Sequence, residues 1–339
     1  MTAAAALFAL LGLALLGVSD WLANLLLYAR RQPLTRTPAD YGLPYEEVSC
    51  RSQDGLRLHG WWIPAAAADP PVMLILHPRF GNRHGLCVAQ QPWPPLFGTD
   101  VDLLQCAQAC HRAGYTVFML DLRNHGESQH GLGAGGLTED QDVMGAVDYV
   151  FQRIAPNDPA AAKVGVIGFG LGAAAALAAV GREKGGAEVI RVFSGDSEGG
   201  SGFLTIQPPT VKRLRFVVAV QPASLGVLLR GYLRQRMGPM GLILLPLVDW
   251  FCRRRGGYPL TATSLLKPVR EVHLPVLYVQ SHGDLRSVCH EVQGHYAATP
   301  GPKEIWWLDP PLGRLEGYQY VCEQMEPILA FADRQLHTC

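Results

Sequence analysis

The chain carries no excess of charge of either sign. Its 29 Lys and Arg residues balance its 29 Asp and Glu residues, and charged side chains make up only 17% of the 339 residues. An extended nucleic-acid surface needs a basic face, so this balance argues against nucleic acid as a partner. The arginine clusters at 30–31 and 253–255 are short. Short clusters of this kind are typical of arginines that face solvent or flank a membrane.

Patterns that bind metals are also missing. The eight cysteines lie at scattered positions with no C-x-x-C pair, and no H-x-x-x-H pair has a nearby acid. These absences argue against a structural zinc site and against a metalloprotease site, so we expect neither a metal nor a cofactor. Cys106 and Cys110 are one helical turn apart, and we expect them to pack inward rather than to act as a redox pair.

What the chain has in abundance is apolar sequence at its N-terminus. Residues 2–28 are almost wholly apolar and are followed by Arg30 and Arg31. A membrane-spanning helix needs about 20 such residues. No basic residue precedes the run, which argues against a cleaved signal peptide, although the small residues 17–19 leave cleavage as the alternative. We predict a single-pass anchor over residues 1–31, with the main domain on the cytoplasmic side because the arginines follow the helix.

A linker over residues 32–44 precedes a long α/β pattern over residues 45–339. A hairpin signal at Asp54-Gly55 is followed by short apolar runs that alternate with helical segments. This alternation predicts a mostly parallel, twisted sheet with helices on both faces. Residues 224–272 interrupt it and are interpreted as a cap or lid. The apolar stretch 237–252 within them leaves a membrane-surface segment as the alternative.

Five motifs in this order resemble those of the α/β-hydrolase superfamily, above all its membrane-anchored bacterial members. They are residues 54–61 (DGLRLHGW), 76–83 (LHPRFGNR), 121–128 (DLRNHGES), 168–172 (GFGLG) and 281–284 (SHGD). The resemblance covers about residues 40–337. It implies an α/β-hydrolase fold, and a fold alone says little about function.

The fourth motif has the form of a nucleophile elbow, G-x-S-x-G, in which a strand turns sharply into a helix. Its central position is Gly170, which has no side chain with which to attack a carbonyl. The resemblance assigns the catalytic carboxylate to Asp284 and the histidine to the segment after the last strand. That segment contains Leu312, Gly313 and Arg314 but no histidine. Two of the three triad members are therefore absent.

Other parts of such a site survive these losses. By resemblance, an oxyanion hole uses the backbone amide of Leu171 and that of Arg79 or Phe80, while His77 shapes the pocket. These groups are expected to bind a small carbonyl or anionic ligand. We therefore predict a membrane-anchored α/β-hydrolase-like protein that is catalytically inactive and serves as a ligand-binding or scaffold module.

Two alternatives remain open at this point. The first is a serine hydrolase of esters or peptides with a displaced nucleophile, for which Ser197 in a Gly-Asp-Ser-Glu-Gly stretch, with His282 or His290 as base, is the candidate set. The second is a subunit of a larger membrane complex that contacts a protein partner through the anchor and segment 237–252. Neither alternative requires a metal.

Overall fold

The computed structural model describes residues 3–29, 31–90, 98–155, 162–182, 190–192, 202–204, 213–256, 258–259 and 263–337. Its strands are β1 (Glu46–Arg51), β2 (Arg57–Ile63), β3 (Val72–Leu76), β4 (Gly85–Leu86), β5 (Val101–Asp102), β6 (Thr116–Leu120), β7 (Val164–Phe169), β8 (Ile190–Val192), β9 (Gly202–Leu204), β10 (Phe216–Val220), β11 (Val276–Ser281) and β12 (Lys303–Leu308).

Eight of these strands form one sheet in the order β1-β2-β6-β3-β7-β10-β11-β12. β1 pairs with β2 and β2 with β6 in antiparallel fashion, and all later neighbours are parallel. Every residue of β3, β6, β7, β10 and β11 is buried, because helices cover both faces of the sheet. This architecture confirms the predicted mostly parallel sheet.

The helices are α1 (Ala3–Leu27), α2 (Leu103–Arg112), α3 (Asp140–Ile154), α4 (Leu171–Gly181), α5 (Leu225–Met237), α6 (Leu244–Arg254), α7 (Leu266–Val269), α8 (Arg286–Ala298), α9 (Arg314–Glu323) and α10 (Glu326–His337). With a mean hydropathy of 2.0 over its most apolar window, α1 is long and apolar enough to cross a membrane. A signal sequence near an N-terminus has the same properties.

The last turns of α1 are held by the segment that interrupts the α/β alternation. Within residues 224–272, α5 and α6 are joined by a 3-10 turn at Gly238–Ile243. An ion pair of 2.5 Å between Asp20 and Arg255 lies beside the contact. The apolar side chains that meet there are Ala23, Leu26, Leu27, Leu229, Leu233, Leu244, Val248 and Cys252.

The position of β3 decides where a ligand site can form. From β3 the chain crosses to β6 on one side and then returns past β3 to β7 on the other. The loops at the carboxyl ends of β3 and β7 therefore diverge and leave a crevice, which is where open α/β sheets bind ligands. The loops that follow β10, β11 and β12 reach the same edge of the sheet.

Candidate functional site

The turn between β7 and α4 consists of the single residue Gly170. Its backbone angles are φ +50° and ψ −99°, in a region that glycine adopts far more readily than other residues. Its N–H donates to the carbonyl of Val220 at 2.9 Å. Two residues later, the N–H of Gly172 donates to the carbonyl of His77 at 3.2 Å. The predicted strand–glycine–helix corner is thus present, with its backbone tied to both neighbouring strands.

The space beside Gly170 is filled by a tyrosine from α9. A Cβ atom built on Gly170 would lie 2.4 Å from the hydroxyl oxygen of Tyr318, closer than real Cβ contacts allow. The Tyr318 side chain is buried, and burial raises the pKa of its hydroxyl despite the opposing effect of Arg314. A protonated phenol therefore occupies the place into which a serine side chain would extend.

Asp284, the predicted acid, is paired with Arg314. Nη1 of Arg314 lies 2.7 Å from Oδ2 of Asp284, and the two side chains are only 9% and 1% exposed. The amide of Gln280 also donates to Oδ2 at 3.2 Å, and the Leu285 N–H donates to Oδ1 at 2.7 Å. A carboxylate that would orient a histidine in an active hydrolase instead holds a guanidinium group.

Arg314 is fixed on several sides. Its guanidinium group also donates to the carbonyl of Gln221, while the side chain of Gln221 donates to the Arg314 carbonyl at 2.9 Å. Burial acts to lower the pKa of Arg314, but Tyr318 and Asp284 outweigh it and raise that pKa above its usual value. An arginine with a raised pKa stays charged and does not accept a proton, so it cannot replace the histidine as a base.

The loop that contains Leu312 and Gly313 is held against β11. The hydroxyl of Ser281 donates to the Leu312 carbonyl at 2.6 Å and accepts from the Leu312 N–H at 2.8 Å. A Cβ atom on Gly283 would lie 2.5 Å from the same carbonyl, so this close approach depends on glycine. The structure thus brings residues 312–314 beside Asp284.

The four residues expected to bind a ligand lie on the other side of the elbow. His77 is buried, with Nε2 accepting from the Leu122 N–H at 3.0 Å and Nδ1 facing the Pro78 carbonyl at 2.8 Å. Burial lowers its pKa, so the ring is neutral and both nitrogens have backbone partners. Leu171 opens α4 and is buried, where its side chain is part of the core.

The side chains of Arg79 and Phe80 make contacts that the sequence did not predict. The Arg79 guanidinium group donates to the carbonyl of Leu26, and it lies 3.4 Å from that of Leu25, at the C-terminal end of α1. Its charge lies 5.5 Å from the centre of the Phe80 ring. Phe80 has a φ of +67°, in the left-handed region. The Arg79 side chain therefore joins the hydrolase-like domain to α1. The assignment of either backbone amide to an oxyanion hole stays a prediction.

Three of the motifs identified from sequence contribute residues to buried ion pairs. Arg83 pairs with Asp121 at 2.7 Å, with both side chains fully buried. Arg123 pairs with Asp142 at 2.7 Å and with Asp54 of the hairpin at 2.8 Å. These contacts join the loops after β1, β3 and β6 to the start of α3.

A cavity of about 770 Å³ opens next to Asp284 and Arg314, between α5 and the start of α8. His290 lines it, whereas His282 stacks on Trp307 with ring centres 4.2 Å apart. Ser197 lies outside the described residues. Among the residues that are described, no group of three or more His, Cys, Asp or Glu side chains is arranged to hold a metal ion.

Sequence reasoning missed two contributors to this site. The position of the Tyr318 hydroxyl over Gly170 follows from how α9 packs on the sheet, and no local sequence pattern predicts it. Gln221 follows β10 with a φ of +46° and contacts Arg314, 93 residues away in sequence. One signal was available for Arg314, since a basic residue in the histidine segment is a natural partner for the carboxylate of Asp284.

Comparisons with known proteins concern the fold of the chain. No family model matches the chain. The curated relative "Uncharacterized protein YfhR" of Salmonella typhimurium is 30% identical over 147 residues, which is 43% of this chain and 42% of that protein. The match thus spans less than half of the relative's length.

Solved structures match over nearly the whole chain. The Pyrococcus furiosus esterase Pf2001 has a TM-score of 0.60 at 19% identity, over 91% of this chain and 99% of that one. The acetyl xylan esterase of Paenibacillus sp. R4 has a TM-score of 0.56 at 16% identity, over 94% and 92%. The Pyrococcus horikoshii acylaminoacyl peptidase has a TM-score of 0.55 at 15% identity, over 87% and 42%. At these identities the likeness concerns the fold.

Proposed function

Since the chain has the α/β-hydrolase fold, we propose that it is a catalytically inactive member of that superfamily, a membrane-anchored module that binds a ligand or scaffolds a partner. One observation carries the proposal: Asp284 is paired with Arg314 at 2.7 Å. Acyl transfer needs a nucleophile, a base that takes its proton and a carboxylate that orients the base. Here the carboxylate holds a permanent cation and the nucleophile position is Gly170.

The described groups near the elbow offer no good substitute. The hydroxyl of Tyr318 is the nearest side-chain atom to the Gly170 position, and its raised pKa makes it a weak nucleophile unless a base activates it. His77 has backbone partners at both ring nitrogens. A hydrolase with a displaced nucleophile would therefore need residues outside this cluster, such as Ser197.

The anchoring part of the proposal rests on α1. Large apolar side chains from Leu7 to Trp21 are exposed, whereas the last turn packs on α5 and α6. Arg31 follows the helix, and positive residues at a helix end favour the cytoplasmic side. A C-terminal tag that resists protease in intact spheroplasts, and is cleaved after permeabilisation, would support this orientation. Cleavage in intact spheroplasts would contradict it.

A fluorophosphonate probe on the purified full-length chain tests the absence of chemistry. We expect no labelling under conditions in which an active serine hydrolase is labelled completely. Labelling of this chain that disappears in Ser197→Ala, or in another serine variant, would overturn the proposal. The scaffold function is tested separately. If it is correct, a protein partner should co-purify with the full chain from native membranes.

Stepwise rebuilding tests the reason for inactivity. Gly170→Ser alone should give no ester turnover, because no base is placed to activate it. Adding Tyr318→Phe removes the oxygen that crowds the new side chain, and adding Arg314→His supplies a base beside Asp284. We expect fluorophosphonate labelling in the triple variant and in neither the single nor the double variant. Turnover by Gly170→Ser alone would show that another base already reaches the elbow.

A further inference from the structure

The cavity beside the Asp284–Arg314 pair is built by the close approach of two helices. At Gly231 of α5 a Cβ atom would lie 2.8 Å from Leu285 and 3.0 Å from the Ser287 hydroxyl, which flank the start of α8. This contact brings the side chains of α5 next to the first turn of α8. The result is a cavity of about 770 Å³, a size that suits a small organic ligand.

The lining of this cavity is strongly basic. Arg230, Arg234, Arg286 and Arg314 all line it, and Asp284 is the only acidic residue among its described lining residues. Because Arg314 already neutralises Asp284, three positive charges face the cavity without compensation. None of these three arginines makes an ion pair within the described part of the chain, so their guanidinium donors are available to a ligand.

The placement of these arginines follows from the pattern of α5. Leu229 and Leu233 are buried against the end of α1, while Arg230 and Arg234 are each one position further on and line the cavity. Spacing of four residues places the two arginines on one side of the helix. Glu316, whose carboxylate lies beside Gly313 of the cavity lining, accepts a hydrogen bond from Thr99 at 2.7 Å.

We propose that this cavity binds the phosphate group of a phosphorylated small molecule or lipid. Guanidinium groups present forked donors that match the oxygens of a phosphate, and three of them suit a group that carries two negative charges. The first turn of α8, which enters the cavity at Arg286 and Ser287, adds the positive end of a 13-residue helix. This proposal rests on the proposed ligand-binding function and specifies its ligand class.

A phosphate group can reach this cavity as part of a lipid headgroup or of a soluble phosphate ester. α5 forms one wall of the cavity and also packs on α1, so a lipid headgroup at the membrane surface is within the same part of the molecule. A soluble phosphate ester offers the same chemistry. The shared feature is the phosphate group, and the experiment separates its sources.

The test is calorimetric titration of the full-length chain in a neutral detergent. The probes are pyrophosphate, glycerol 3-phosphate and short-chain phosphatidic acid, with short-chain phosphatidylcholine as the zwitterionic control. We expect saturable binding of at least one phosphate probe that weakens as salt is raised, because exposed charges are screened. The Arg230→Ala/Arg286→Ala variant should weaken it by about tenfold or more.

A matched control lies on the same helix. Arg236 is exposed on α5 but does not line the cavity, so Arg236→Ala should leave the affinity within about twofold of the unmodified chain. Binding of phosphatidic acid alone would identify a lipid headgroup, and binding of the soluble probes would identify a free phosphate ester. Both results support the proposal.

Three results would overturn it: no saturable binding of any phosphate probe, equal binding of phosphatidylcholine, or equal losses in Arg236→Ala and in the double variant. The melting temperature of each variant confirms that it is folded. Fluorophosphonate labelling addresses catalysis and not this cavity, so failure of the phosphate proposal and failure of the inactive-hydrolase proposal are distinguishable.

Discussion

Buried arginine–carboxylate ion pairs lie on both sides of the elbow, and the two sides differ in the role of these residues. On one side, after β3 and β6, Arg83 binds Asp121 and Arg123 binds Asp142. On the other side, after β11 and β12, Arg314 binds Asp284. The first group ties loops together in a place where no reaction is expected. The second stands where an active hydrolase would keep its acid and base.

Each group compensates buried carboxylates with arginines. Removing one partner of a buried ion pair leaves an unpaired buried charge and destabilises the fold. Stability therefore constrains the residues of the first group. Under the inactive-hydrolase proposal, chemistry places no constraint on the positions that the resemblance assigns to the triad. In the second group Arg314 compensates the buried carboxylate of Asp284, which satisfies the same electrostatic need.

The largest expected effect comes from breaking the first group. Arg123→Ala should lower the free energy of unfolding by about 3–5 kcal/mol, because it leaves Asp142 buried and unpaired. Arg123 is 2% exposed and also holds Asp54 of the hairpin. Denaturant unfolding in detergent measures the loss. The control is Arg153→Ala, whose exposed pair with Glu46 should contribute about 1 kcal/mol or less. Equal losses in the two variants would refute the structural importance of the Arg123 ion pairs.

A smaller loss is expected from breaking the second group. Arg314→Ala should lower the free energy of unfolding by about 2–3 kcal/mol, because Asp284 keeps the Gln280 amide and the Leu285 N–H as partners. A double-mutant cycle with Asp284→Ala measures the coupling between the two side chains. Additive effects of the two substitutions would mean that the pair does not interact.

The smallest expected effect concerns the elbow that lies between the two groups. Gly170→Ser should lower the free energy of unfolding by about 1–2 kcal/mol, since its Cβ would crowd the Tyr318 hydroxyl. Combining it with Tyr318→Phe leaves a ring carbon at 3.3 Å as the nearest atom and should restore about half of that loss.

A glycine elsewhere separates crowding from backbone strain. Gly42 has a φ of +68° with open space around its Cβ position, so Gly42→Ser reports the strain of a left-handed residue alone. Melting temperatures of the three variants provide the comparison. If Gly42→Ser destabilises the chain as much as Gly170→Ser, crowding by Tyr318 is not the cause.

Sequence reasoning recovered the sheet and the strand–glycine–helix corner because each has a local signal. The buried strands read as continuous apolar runs, and Gly170 lies between a strand and a helix of small residues. The positions of the ligand candidates were harder to predict. Arg79 was considered for its backbone amide, yet its side chain reaches the end of α1, 53 residues earlier in the chain. Such a contact depends on where α1 packs, which no local pattern encodes.

The amino-acid sequence by itself determined that position 170 is not a serine and that residues 309–318, directly after the last strand, contain no histidine, because side-chain identity alone decides both. It also determined the strand pattern, since alternating apolar and helical segments have one efficient way to bury their surfaces. Only the tertiary structure decided that Tyr318 fills the nucleophile position, that Arg314 binds Asp284 and that three arginines converge on one cavity. Those groups come from segments up to about 150 residues apart, and their meeting depends on how the helices pack against the sheet.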